Sequence, residues 1–226
     1  MSDWHPLDNP IWEALTSGHQ HMALVQGMAA RYPADVSPLA GLREPNTQAF
    51  ADLRALVSAG ERVALFTTAP VDVPAGWRVL RARYIDQMIC DAALLPGGGQ
   101  PLRLGEADVP EMLTLTALTE PGPFAERTIA MGHYYGVRSA TGALSAMAGE
   151  RLSLGAFQEI SAVCTLPEAR GQGLAQRLVA YLVARTFANG RTPFLHVKTE
   201  NGAKVLYERL GFRIRRPIQY TVITPS

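Results

Sequence analysis

The chain is short of several features that would narrow its chemistry at once. It holds two cysteines in 226 residues, Cys90 and Cys164. Two thiols so far apart make no disulfide framework and show no metal-ligand spacing, so they are expected to be reduced, as in a cytoplasmic protein, with no bound metal. Neither sign of charge dominates: 21 Lys and Arg face 20 Asp and Glu, a formal net charge of +1. No whole-molecule field therefore draws the chain to nucleic acid or to an anionic membrane. No apolar run approaches the ~20 residues that span a bilayer. The opening Met1-Ser2-Asp3-Trp4-His5 lacks the basic region and apolar stretch of a secretory leader. What is present is ordinary globular composition, with 47% hydrophobic and 18% charged residues, enough apolar material for a core.

One composition break stands out, Leu94-Leu95-Pro96-Gly97-Gly98-Gly99-Gln100-Pro101. Consecutive glycines between prolines suit neither helix nor strand, and they predict a domain boundary. Residues 1–97 then form an N-terminal α+β unit and residues 98–226 a second one. In the first, the pattern predicts helices over 10–31 and 47–59, the latter capped by Thr47, and strands over 62–68 and 77–82. In the second it predicts a strand at 102–104 and a helix over 109–119 ended by Glu120-Pro121-Gly122-Pro123. A short helix over 124–131 follows, then strands over 133–138, 143–151 and 159–165. A long helix carries Leu174, Leu178, Leu182 and Phe187 on one side. A strand over 193–198, a short helix over 203–210 and a last strand region over 212–223, broken by Pro217, complete the chain.

The segment that carries chemistry is Arg170-Gly171-Gln172-Gly173-Leu174-Ala175, between a strand and the long helix. Glycines let the backbone turn sharply and approach a ligand. The first turn of a helix leaves N–H groups without internal partners, and with the helix dipole these favour an anion. The loop is thus suited to a phosphate or pyrophosphate. It is not a Walker loop, since no Gly-Lys-Ser/Thr follows. It does not complete the dinucleotide fingerprint either, because the third glycine slot is Gln176.

Arg170-x-x-Gly173-x-Ala175 resembles motif A of the GNAT acetyltransferases, and Leu206-Tyr207-Glu208-Arg209-Leu210-Gly211-Phe212 resembles their motif B. The predicted element order from Leu102 onward is similar to the GNAT fold, a mixed, mostly antiparallel sheet with flanking helices. Leu118-Thr119-Glu120-Pro121-Gly122-Pro123-Phe124 and Glu159-Ile160-Ser161-Ala162-Val163-Cys164-Thr165 resemble the glycine N-acyltransferase-like branch, which carries an extra, degenerate GNAT-like N-terminal half. The resemblance implies acetyl-CoA as cosubstrate, an amine as acceptor, direct transfer in a ternary complex, and a monomer or homodimer.

It also implies roles. Arg170, Gly171, Gln172, Gly173, Leu174, Ala175 and Gln176 would hold the CoA diphosphate. Val163 and Thr165 would pair with the pantetheine arm, and the N–H of Thr165 or its neighbour would face the thioester oxygen. Tyr207 would protonate the departing thiolate. Glu159 would take the amine's proton, with Glu150 as a rival. Asn201 would contact CoA, although the family's asparagine slot holds Glu200. Phe124, Tyr134 and Tyr135 would wall the acceptor site. Cys164 lacks a recognisable histidine partner for nucleophilic catalysis. His19 and His21 do not share a helix face. The alternatives to an enzyme of this kind are a CoA-sensing module without turnover and a nucleotide-binding oxidoreductase.

Overall fold

The structure, a computed structural model, describes residues 5–92 and 99–226. Most of the glycine break lies at 93–98, outside the described residues, as do residues 1–4. The first half contains α1 (Pro10–Thr16), β1 (Leu24–Gln26), β2 (Ala29–Arg31), β3 (Ala40–Leu42), α2 (Thr47–Leu56), β4 (Val63–Thr67) and β5 (Trp77–Cys90). The second contains β6 (Leu102–Leu104), α3 (Val109–Thr119), β7 (Tyr134–Arg138), β8 (Leu144–Leu154) and β9 (Phe157–Thr165). Then come α4 (Leu174–Ala188), β10 (Thr192–Lys198), α5 (Lys204–Arg209) and β11 (Phe212–Pro225). The strands form a small sheet in the order β1-β2-β3 and an eight-stranded sheet in the order β4-β11-β5-β10-β9-β8-β7-β6. In the large sheet only β9 and β10 run parallel; every other neighbouring pair is antiparallel.

This order corrects the division at residue 97. β5 is hydrogen-bonded to β11 along one edge and to β10, from Ile85 to Ile89, along the other. A strand held on both sides by the second half belongs to that half's sheet. The core agrees: Leu7, Ile11, Leu15, Ile85 and Ile89 pack in one cluster with Met131, Leu152, Phe194 and Ile218. The first half therefore shares its sheet and its core with the second. It donates two strands to the common sheet and covers one edge of it, where α2, β2 and β3 pack on Val63, Leu65 and Ile223.

Local chemistry explains the other departures. The helix expected over 10–31 stops at Thr16. At Gly18 the chain passes so close to β8 that a Cβ would stand 2.4 Å from the Ser153 carbonyl oxygen, and the two short strands β1 and β2 follow. The cap of α2 is Asn46, not Thr47: its Oδ1 accepts from the Ala49 N–H at 2.9 Å. Pro217 does not break β11. β4 pairs only with Gln219–Ile223, so one side of β11 has no ladder partner at Pro217 and needs no N–H there.

The two faces of the sheet are covered differently. Leu178, Val179, Leu182 and Val183 of α4 and Tyr207 of α5 pack on Met88, Ala148, Leu195 and Val197. The opposite face meets α1 at one end of the sheet. Nearer β6, Met112 and Leu115 of α3 meet Leu104, Tyr134, Met147 and Cys164.

Candidate active site

β9 and β10 pair only over Phe157–Glu159 and Thr192–Phe194, and then part. β9 also bulges against β8. Met147 faces Cys164 and Gly149 faces Ser161, so three steps on β9 answer two on β8. Ala162 sits in the bulge with φ of 52°, a left-handed conformation that costs an L-residue about 1–2 kcal/mol. Backbone strain of this kind persists only where the surroundings enforce it, and it clusters at functional sites.

Between the parted strands opens a cleft of about 520 Å³. Residues 160–165 and 195–198 form its two strand walls, and residues 119–123, from the last residue of α3 onward, form a lip. Leu39, Phe66, Arg83, Ile85 and Tyr220 line one end; Arg170, Ala175, Leu206 and Tyr207 line the other.

The glycine turn is open. Gly171 and Gly173 have φ of 78° and 72°, and a Cβ at either would meet nothing within 4 Å. Gly173 caps α4 and no side chain supplies a cap bond. The Arg177 N–H donates to Gly173 O at 3.0 Å, so the amides of Leu174, Ala175 and Gln176 precede the first helical bond. With the dipole of a 15-residue helix behind them, amides so placed suit an anion. Arg170 and Ala175 face the cleft; Gln172 and Leu174 border a neighbouring pocket beside Val137 and Ser145, and Gln176 is exposed.

The strand wall presents main-chain groups. Leu166 N–H donates to Ser145 O at 2.8 Å, a bond that flanks the Ala146–Thr165 pair. In an antiparallel ladder this leaves the N–H and C=O of Thr165 directed away from β8; Val163, beside the bulge, lies on the same wall. Both residues line the cleft. Thr165 Oγ1 is buried and has no hydrogen-bond partner among the described residues.

Tyr207 reaches the cleft from α5 while its ring packs edge-on to Phe212 at 6.0 Å. Burial, and secondarily the nearby Cys164, push its pKa up to about 12, so the phenol keeps its proton at neutral pH. Cys164 is itself pushed up to about 11, mainly by burial, and stays a thiol. Asn201 lines the cleft, but its Oδ1 accepts from the Ala203 N–H at 2.9 Å and shapes the entry to α5.

Five sequence-based assignments are corrected. Glu159 is fully buried, and its carboxylate accepts from Arg151 Nε and Nη2 at 2.8 and 2.7 Å and from His196 Nδ1 at 2.7 Å. Burial alone would raise its pKa, but the Arg151 charge and these hydrogen bonds overcome it and hold the group at about 2. So weak a base, with both oxygens engaged, does not take a proton from an amine. Its rival Glu150 accepts from the His133 N–H at 3.1 Å and borders a different pocket with Arg185. Tyr134 and Tyr135 are buried and do not line the cleft. Tyr134 packs on Gly149, and Tyr135 packs on Tyr181 at 4.8 Å on the α4 face. Phe124 packs edge-on to Tyr134 at 5.6 Å; the lip ends one residue earlier, at Pro123.

The cleft also holds residues that sequence reasoning missed: Arg83, Arg151, His196 and Lys198. Gln87 Nε2 donates to Leu7 O at 2.8 Å and lies 3.1 Å from His196 Nε2, so that ring nitrogen accepts and Nδ1 carries the proton towards Glu159. Burial, only partly opposed by Glu159, keeps His196 below its ordinary pKa, and the contact is a hydrogen bond from a neutral ring.

The model of FR47-like proteins matches residues 134–221, which run from β7 through the glycine turn and α5 into β11. A GNAT-family protein of Novosphingobium aromaticivorans DSM 12444 is 39% identical, with a TM-score of 0.90 over 99% of this chain and 100% of that one. The chain belongs to the GNAT family of acetyltransferases. More distant GNAT structures share the fold. A GCN5-related N-acetyltransferase-like protein of Streptococcus suis has a TM-score of 0.61 at 17% identity, over 100% of this chain and 95% of that one. A GCN5-related N-acetyltransferase of Kribbella flavida has a TM-score of 0.60 at 16% identity, over 95% of each chain. No curated protein sequence matches. Within the GNAT fold the parted strands and the turn before α4 are contiguous, and the matched segment contains both.

Proposed function

We propose that the protein transfers an acetyl group from acetyl-CoA to a primary amine, directly, while both are bound. One observation carries this reading: a single cleft joins Arg170 and the head of α4, the outward-facing backbone of β9 and the phenol of Tyr207. These groups fit the parts of CoA in order. The free amides of α4 suit the diphosphate, Val163 and Thr165 suit the amides of the pantetheine arm, and the unpartnered Thr165 Oγ1 is a further polar contact. Bound acetyl-CoA supplies the acetyl group as an activated thioester.

The chain's own groups then have defined tasks. The Thr165 N–H, directed into the cleft, stabilises negative charge on an acyl oxygen held there. Tyr207, protonated at neutral pH, donates to a thiolate. With Glu159 engaged by Arg151, Glu120 is the carboxylate of the cleft wall and takes the amine's proton. Arg151, Glu159 and His196 tie β8, β9 and β10 together where the strands part.

The test is thermal unfolding with CoA and acetyl-CoA, together with thiol release on a panel of amines. A ligand of the native state raises the melting temperature by mass action, and turnover is expected with at least one amine. A shift without thiol release from any amine would identify the CoA-sensing alternative. Absence of both overturns the reading.

A further inference from the structure

The two ends of the cleft offer different chemistry. Arg83 and Ile85 lie two apart on β5 and so share a face. Ile85 packs with Phe66 in the cluster formed with α1, whereas Met88 packs beneath α4. Arg83 therefore stands on the face away from the phosphate-binding turn, at the end left for the acceptor.

Its charge is poorly matched by the protein. The guanidinium lies 5.6 Å from the centre of the Tyr220 ring, which fixes it along the wall. The nearby carboxylate of Glu200 is 3.9 Å away, on a side chain that is 71% exposed. Arg83 Nε is buried and donates to nothing among the described residues. Arg151, in the same cleft, has its Nε and Nη2 bonded to Glu159. One arginine is satisfied by a buried carboxylate; the other, in a cavity wall, has only the exposed Glu200 carboxylate at the edge of ion-pair range and a buried Nε that donates to nothing among the described residues. That geometry suits a carboxylate, which a guanidinium binds through two parallel N–H bonds. Leu39, Phe66 and Ile85 beside it are apolar.

We infer that the acceptor is a free amino acid: Arg83 holds its carboxylate, an apolar side chain lies along Phe66 and Ile85, and the amine points to the parted strands. The inference rests on the acetyltransferase reading and adds the acceptor's class to it. It excludes polyamines, whose charge the cleft's arginines repel, and peptide N-termini, whose carboxylate lies too far from the amine.

The experiment compares matched acceptors on the full chain at saturating acetyl-CoA: phenylalanine, phenylalanine amide, phenethylamine and a Phe-Gly dipeptide. The free amino acid is expected to exceed each of the others in kcat/KM by about tenfold or more, as a site built to pair a polar group rejects analogues without it. Arg83→Met is expected to remove that advantage through the acceptor KM, leaving the acetyl-CoA KM and the CoA-induced thermal shift unchanged. Arg83→Lys should restore part of it, and it stands in if the Met variant does not fold. Equal or faster turnover of the amide, the amine or the dipeptide overturns the inference while the acetyltransferase reading stands. A CoA shift without release from any of the four also overturns it. Neither shift nor release overturns both.

Discussion

At Glu159, one carboxylate serves Arg151 and His196 at once, and its partners come from strands on either side. Breaking a buried charge pair from one side leaves the other charge stranded, so Glu159→Gln is expected to cost about 3–5 kcal/mol at pH 7 in denaturant unfolding. The sign with pH follows from the depressed pKa. The pair stabilises fully above the ordinary 4.5 and loses its contribution as pH falls towards 2, so the gap between wild type and variant should close over that range. Tyr207→Phe should lower kcat by about a hundredfold or more, the range for a lost general acid, with CoA affinity kept; unchanged turnover would remove the phenol from the mechanism. That Tyr207, Arg170 and Thr165 would meet in one cleft was legible because each lies in a local run with its own spacing. Arg151 and His196 were not, since only strand pairing brings them to Glu159. Arg83 was hidden for the same reason: nothing near it in sequence tells which cavity β5 will border.

At the scale of elements, two glycines in the turn before α4 hold left-handed φ and leave the amides uncovered. Gly173→Ala should fold with a loss of about 1–2 kcal/mol, from the left-handed conformation alone. It should also weaken CoA binding, because the new methyl would stand in the space before the amides; isothermal titration with CoA separates the two effects. α3 matched its sequence bounds because Pro-Gly-Pro follows an apolar helix without ambiguity. The expected long first helix failed because periodicity across Gly18 could not register that β8 passes against it. The bulge at Ala162 left no signal, since alanine is not the residue that left-handed backbone favours.

Across the whole molecule, the sheet has no seam at the glycine stretch. A fragment of residues 99–226 would lack β5, the strand between β10 and β11, and would open both to solvent. It is expected to show no cooperative thermal transition, whereas adding residues 5–92 as a separate chain should restore one. The GNAT character of the second half could be read from its motifs. The merging of both halves could not, because it depends on pairings such as Trp77 with Pro225 that no local pattern records.

That arrangement bears on how the protein is made. A ribosome delivers β4 and β5 long before residues 212–225, yet β11 is the strand that lies between them. Until it emerges, the two earlier strands face each other across a gap and expose unpaired edges, the surfaces most prone to stick to other chains. Synthesis must run almost through β11 before the sheet can close, and the nascent chain depends on protection for nearly all of that time.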